Sequence, residues 1–420
     1  MSPNTTRPYV RQHRRTAPET IVAYVEPAGK DLWRVRYQRD DGALASLSGF
    51  TSKDAAQDKA DSINKAQRGA GHPDPAAGRM PMAQWAELWF DSIDVARTTR
   101  AQYLSLTRNH LLPRWGTNPV EAIGNLAVHT WANQLRARGL AVSTVKTIVK
   151  LLTMMLADAA DEGLIPTNPV RPRRRGRRNR TRTPERLWAT PEQVLHIALQ
   201  AARLVGNWAG VLDITAAWTG ARWGELAGLQ RINTHLDDGC LVVDPDIGSL
   251  HEVDGRLELG PPKTPESART ITLPPFLIDL LRHHLDTHDH PHVFVTADHQ
   301  LLRRSNHSRR AMRPAADGNR HRHNPAIRLD PVKPGLTFHG FRHSHKTWLI
   351  ADGLPEVAQA RRLGHKLPDK IQEIYSHVAP EVETRLLNCL QKRWTDALAG
   401  FHLTTSPVNT PWSPPGLPEA

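Results

Sequence analysis

Thr219-Gly220-Ala221-Arg222-Trp223-Gly224-Glu225-Leu226 reads as a tight turn entering a helix. With Arg222 at the helix start, Glu225 lies one turn along on the same face, since residues three apart are neighbours on a helix. An arginine so placed can offer its planar fork to a phosphate while the carboxylate holds it in position. An ordinary ion pair at a helix start fits the same residues, so the segment has to be read with its surroundings.

Three further polar segments lie downstream. Lys263, in Pro262-Lys263-Thr264, precedes a strand reading Arg269-Thr270-Ile271-Thr272-Leu273-Pro274; at a hairpin tip a lysine is usually solvated. His339-Gly340-Phe341-Arg342-His343-Ser344-His345 sets His339 and Arg342 one helical turn apart, able to address one ligand beside apolar Phe338, Phe341, Trp348 and Leu349. Histidines satisfied within a core are the bland alternative. Leu363-Gly364-His365 is followed by Tyr375, for which a buried, hydrogen-bonded hydroxyl is the default.

Around these segments the chain divides by pattern. Residues 1–20 are expected to be disordered. Leu32 to Gln38 alternates, with Trp33, Val35 and Tyr37 on one face and Arg34 and Arg36 on the other, the period of a half-buried strand. Asp40-Asp41-Gly42 then reads as a hairpin turn. Thr51 with Asp54 resembles a capping box opening a helix to about Arg68, so residues 21–70 form a small module of strands plus a helix. Residues 69–78 are a linker. Met82 to about Glu162 is helical, with stripes at Trp85, Leu88 and Trp89 and at Val145, Ile148, Val149 and Leu152, giving a helical domain over 80–170. Ile165-Pro166 and Asn168-Pro169 mark its end, because the residue before proline resists the helical conformation.

Residues 171–187 form an arginine-rich linker, with eight arginines between Arg171 and Arg182. Such a run repels itself into an extended form. On DNA, Arg173, Arg174, Arg175, Arg177 and Arg178 would clamp the backbone by releasing counterions. Over 188–399, Pro191 to Leu204 and Trp208 to Trp218 read as helices, and Cys240 to Val243 and Thr270 to Leu273 as strands. Leu301 to Pro334 is a long basic stretch read as a helix and an irregular loop. Pro380 to Ala399 is an amphipathic helix, and residues 400–420 are a proline-rich, disordered tail. The fold class is therefore multidomain and mainly α: a small α+β N-terminal module, a helical domain, and a mixed, mostly α domain with a small β-sheet.

The 420 residues carry a formal charge of +13. That surplus points to a polyanionic partner, nucleic acid before a membrane surface. No run approaches the eighteen apolar residues of a spanning helix, and the polar N-terminus reads as no signal peptide. Cys240 and Cys389 are the only cysteines, which argues against a disulfide framework, a cysteine zinc site and secretion. His283, His284, His288, His290 and His292 stand in a polar, proline-bounded segment, and no metal is expected there. The phosphate-loop pattern G-x-x-x-x-G-K-[ST] is missing.

Taken in order, the four segments resemble the signature of the tyrosine recombinases, the phage integrase family: an A-R-x-x-E arginine, a strand-turn lysine, an H-x-x-R pair, an L-G-H segment and a tyrosine. The resemblance extends upstream, where Tyr103 to Gly116 and Asn168-Pro169 look like the family's core-binding domain. The strand-and-helix module looks more loosely like its arm-binding domain. The resemblance implies Arg222, Lys263, His339, Arg342, His365 and Tyr375 as catalytic residues, with Glu225 orienting Arg222.

It further implies a site-specific recombinase that integrates or excises a phage or other mobile element through a 3′-phosphotyrosyl intermediate, without cofactors. Its partners would be double-stranded DNA attachment sites, and it would act as a homotetramer with no membrane partner. An excisionase and a host DNA-bending protein are further partners that the resemblance admits, and the setting would be the cytoplasm of a prokaryotic host, in association with the nucleoid. A type IB topoisomerase-like enzyme and a non-catalytic architectural DNA-binding protein are the alternatives. Two departures stand out: Leu301–Pro334 is longer than a typical integrase has before its H-x-x-R pair, and Gly340-Phe341 replaces a more usual polar residue and leucine.

Overall fold

The computed structural model describes residues 23–29, 31–38, 43–67, 77–171, 185–324, 327–366 and 378–404. The chain divides into two compact units, residues 1–178 and 179–420.

The first unit begins with an antiparallel sheet of β1 (Ala23–Gly29), β2 (Leu32–Gln38) and β3 (Leu44–Phe50), followed by α1 (Lys53–Gln67). The alternation in β2 is realised: Val35 and Tyr37 are buried with Ala56, Ala60 and Ile63 of α1. On the opposite face Arg34 and Arg36 share Glu26, with Arg36 Nε 3.0 Å from its Oε1. The cap of α1 falls one residue later than the sequence suggests, since Ser52 Oγ accepts from Ala55 N at 3.2 Å. The expected turn at Asp40-Asp41-Gly42 lies outside the described residues.

Next come α2 (Met82–Ser92), α3 (Arg97–Leu106), α4 (Leu112–Trp115), α5 (Asn125–Ala137) and α6 (Val142–Asp161). Their core holds Trp85, Trp89, Trp115, Trp131, Ile148 and Leu152. Trp85 Nε1 donates to Met155 O at 2.9 Å, joining α2 to α6. Leu88 departs from the expected stripe and is 49% exposed. The buried set on α2 is Met82, Trp85, Ala86, Trp89 and Phe90, and at 3.6 residues per turn Leu88 falls outside that arc.

In the second unit α7 (Pro191–Val205) packs on α8 (Asn207–Thr219), whose side chains from Ala209 to Thr219 are all buried. A helix that is apolar on nearly every side belongs at the centre of a core. Trp218 marks that centre, with ring centroids 5.6, 5.0 and 5.5 Å from Phe276, Trp348 and Trp394. After α9 (Trp223–Ala227), the antiparallel strands β4 (Thr234–His235), β5 (Cys240–Val243) and β8 (Arg269–Thr272) form one sheet. The strands β6 (Ser249–Val253) and β7 (Arg256–Gly260) form a separate hairpin.

The remaining helices are α10 (Pro275–Leu285), α11 (Arg304–His307), α12 (Arg313–Asp317), α13 (Phe338–Ala351), α14 (Glu356–Leu363) and α15 (Pro380–Thr404). A π turn, Ser308–Met312, links α11 to α12 just ahead of Pro314, with Arg313 N donating to Ser308 O. The widened turn accommodates a proline that has no N–H to give and whose ring would crowd a tighter helix. The same arrangement joins α3 to α4 ahead of Pro113.

Candidate active site

The site is built where α8 stops. Gly220 ends that helix at φ +67°, and a Cβ there would stand 2.6 Å from Leu363 Cδ2 and 2.8 Å from His345 Cδ2. Only glycine meets both demands, the left-handed backbone and the close approach. The chain then turns through extended Arg222 into α9, and Glu225 Oε2 accepts from the Arg222 backbone N–H at 2.9 Å. The side chains pair as well: Arg222 Nη1 donates to Glu225 Oε1 at 2.7 Å and to Ser267 Oγ at 2.9 Å, and Nη2 donates to Gly364 O at 3.1 Å. The helix-start geometry expected for this segment is therefore present.

Arg342 reaches the same place from α13. It is 4% exposed. Its Nη1 donates to Gly220 O at 2.6 Å, and its Nη2 donates to Leu363 O and, at 2.8 Å, to His365 Nε2. Consecutive carbonyls, Leu363 and Gly364, thus hold the two guanidiniums side by side. An Nε2 that accepts leaves the ring proton of His365 on Nδ1. Burial, then the charges of Arg222 and Arg269, push the Arg342 guanidinium down to about 9, with Glu225 opposing. It remains cationic at neutral pH. Partial burial, then Arg342 and Arg222, lowers His365 to about 4.

Two arginines unmarked by the sequence reading complete the web. Arg269, at the head of β8, donates from Nη2 to Glu225 Oε2 at 2.9 Å and from Nη1 to Oε1 at 3.2 Å, while its Nε reaches Arg362 O at 2.7 Å. Arg362 donates from Nε to His345 Nε2 at 3.0 Å and from Nη2 to Trp218 O at 3.1 Å. His345 turns Nδ1 to Ala217 O at 2.9 Å. That histidine is a buried strut, as the bland reading allowed. Burial alone would raise the Glu225 pKa, but Arg269 and Arg222 hold it below the ordinary carboxylate range.

Replacing Glu225 with glutamine should therefore cost about 3 kcal/mol of unfolding free energy, because it strands partly buried guanidiniums against each other. Urea denaturation measures this, and a loss well under 1 kcal/mol would show that the carboxylate does not organise the cluster.

His339 stands at the first turn of α13, its ring 4.8 Å from that of His343. The ring is solvent-accessible, yet partial desolvation, then His343, Arg342, Arg186 and Arg304, lowers its pKa to about 4. Gly340, one of the two departures, is explained by packing, since a Cβ there would meet Leu336 Cδ1 at 2.6 Å.

Lys263 is not joined to the cluster. It is exposed in the segment between β7 and β8, which belong to different sheets, so the expected hairpin tip is instead a crossing between sheets. Tyr375, Arg173, Arg174, Arg175, Arg177 and Arg178 lie outside the described residues. Among the histidines of the 283–292 segment, His284 and His288 both turn Nε2 to Val293 O, at 2.9 and 3.1 Å.

Residues 209–381 match the phage integrase family. A putative prophage phiRv2 integrase of Mycobacterium tuberculosis is 26% identical over 329 residues, 76% of this chain and 81% of its own length. The integrase of Mycobacterium phage L5 is 24% identical over 302 residues, 70% of this chain and 74% of its own. Among solved structures, the Tn1549 transposon integrase in complex with a circular intermediate DNA superposes with a TM-score of 0.57 at 16% identity, covering 74% of this chain and 99% of that one. A lambda integrase dimer bound to a COC′ core site gives 0.50 at 18% identity, over 88% and 99%. Its matched domain over residues 209–381 and its integrase relatives make the chain similar to the tyrosine recombinases, the phage integrase family, and its multidomain, mainly α architecture is the fold it shares with the solved integrases.

Proposed function

We propose that this chain is a site-specific DNA recombinase of the integrase type, which cleaves and rejoins DNA through a transient 3′-phosphotyrosyl bond to Tyr375. The observation that carries the reading is the surplus of buried positive charge. Arg222, Arg269, Arg342 and Arg362 converge on carbonyls, and among the described residues their ion pairs are only those with Glu225 and the half-buried Glu383. A cluster of this sign, open beside Arg222 and His365, suits an anion with several oxygens.

In the proposed reaction the Tyr375 oxygen attacks the phosphorus, the bond to the 5′-oxygen breaks, and the 5′-hydroxyl of a second strand later reverses the step. The ester keeps the bond energy, so no nucleotide is consumed. Arg222 and Arg342 would bind the non-bridging oxygens as charge builds there, usually the largest contribution to such catalysis. His365 would add a hydrogen bond, and Glu225 would orient Arg222. His339, a neutral imidazole, is suited to exchange the phenolic proton. Lys263 would protonate the departing oxygen once DNA draws it in.

DNA attachment sites are the proposed substrate, engaged by a homotetramer, with Arg34, Arg36 and the Arg173–Arg178 run on the backbone. Residues 21–70 would then bind arm sites, 80–170 the core site, and 171–187 would link them to the catalytic residues, which begin at 188; the last helix runs on to Thr404, past the expected end at Ala399. An excisionase and a host DNA-bending protein would set direction, in the nucleoid of a prokaryotic cytoplasm. No described helix is long and apolar enough to cross a membrane.

The test uses the full chain, a chelator, no nucleotide, and nicked duplexes of random core sequence. A denaturation-resistant adduct on a restricted set of sequences, mapped by mass spectrometry to the Tyr375 peptide, is the expected result. Binding without an adduct would leave an architectural protein, and adducts on every sequence would favour a topoisomerase.

A further inference from the structure

The stretch Leu301–Pro334, which the recombinase signature leaves unassigned, brings an arginine into the catalytic cleft. An open cleft of about 360 Å³ is lined by Arg222, His251, Glu252, Arg304 and His339, among others. Arg304, the first residue of α11, is exposed, and among the described residues it makes no ion pair. The nearby carboxylates are already engaged: Arg303 Nη1 holds Glu252 Oε1 at 2.9 Å, and Arg222 and Arg269 hold Glu225. The cleft therefore presents two guanidiniums, Arg222 and Arg304, with no unengaged acid among its lining residues.

Arg304 is also held firmly. One turn further on, His307 is 4% exposed, its ring 5.0 Å from Trp223 and 5.6 Å from Phe338. Trp223 and Phe338 directly adjoin Arg222 and His339 in the chain. The other side of His307 meets Asp213, with Nε2 3.5 Å from Oδ1. Burial raises the Asp213 pKa well above its ordinary value and lowers that of His307 to about 4, so it favours the neutral form of each, which costs less in the core than a charge. Ala311, Met312, Ala315 and Ala316 then bury the rest of this helical stretch. The segment is thus wedged between the two elements that carry Arg222 and His339.

We propose that Arg304 binds a DNA backbone phosphate adjacent to the one that is cleaved, so that this long segment is a substrate-contacting wall of the cleft. The inference rests on the recombinase reading. Each DNA strand carries a charge about every 3.4 Å along its axis, so a second guanidinium in the cleft that receives one phosphate will meet the next.

The experiment uses the full chain and the duplex recovered as the wild-type adduct, comparing wild type, Arg304→Gln and Arg309→Gln by affinity across salt. Arg309 is exposed on the same segment, beside Asn306. One lost phosphate contact flattens the slope of log affinity against log salt by about 0.9. Over a tenfold rise in salt, Arg304→Gln should therefore lose about eightfold less affinity than wild type, and Arg309→Gln should match wild type. A wild-type slope for Arg304→Gln, or equal flattening by Arg309→Gln, overturns the assignment while the adduct still stands. Binding without a wild-type adduct instead brings down the recombinase reading itself.

Discussion

Tyr375→Phe is expected to bind DNA as tightly as wild type and to form no covalent adduct. Phenylalanine removes one oxygen and keeps the ring, a near-isosteric change. The hydrogen bonds described for Arg222 and Arg342 run to Gly220, Leu363, Gly364, Glu225, Ser267 and His365, so none of those partners is removed. The phosphate would still be bound, but it would have no attacking oxygen. A phenol of pKa about 10 is a weak nucleophile at neutral pH, which is why the cationic surroundings matter when the oxygen is present. Denaturing gels on the recovered duplex, paired with affinity measurements, check both halves. An adduct that persists in this variant would mean that another side chain attacks.

Arg342→Lys is expected to slow strand cleavage by about a thousandfold while changing DNA affinity by no more than about threefold. The planar fork of Arg342 meets Gly220 O, Leu363 O and His365 Nε2 together. An ammonium is a compact point charge that cannot span three such acceptors and still face a phosphate. Buried acceptors left unmet cost about 1–3 kcal/mol, so the variant should also unfold at lower urea. Single-turnover cleavage with saturating enzyme separates the chemical loss from binding. A lysine variant within about tenfold of wild type would mean that charge alone suffices and that the fork geometry is incidental.

Much of the second unit can be read from the chain because its motifs are local. Arg222 and Glu225 lie within one turn, as do His339 and Arg342, and the ends of α7, α8 and β5 follow from short patterns. Arg269 and Arg362 could not be found that way. Their partners lie tens of residues away, and Arg269 faces Glu225 only because β8 pairs with β5, Val243 opposite Arg269. The hairpin β6–β7 is also legible in a short window. Its two-residue turn, Asp254-Gly255, has both φ angles positive, 50° and 76°, the conformation that Asp-Gly favours between paired strands. Leu88 stands three residues from Trp85, a spacing that suggests burial, whereas the buried stripe is centred on Trp85 and Trp89. Lys263 stands in a segment that crosses between two sheets, a relation that no short window contains.

The anchorage of the two central arginines has an evolutionary consequence. Gly220, Leu363 and Gly364 hold Arg342 and Arg222 through main-chain oxygens, and every residue type carries that atom. Drift in surrounding side chains therefore leaves those acceptors available, provided the backbone path is kept. The constraint falls instead on shape, above all at Gly364, whose φ is +61° and where a Cβ would stand 2.9 Å from Glu266 O. A lineage can thus rewrite most of its residues and retain the same chemistry, as long as a few positions stay free of side chains.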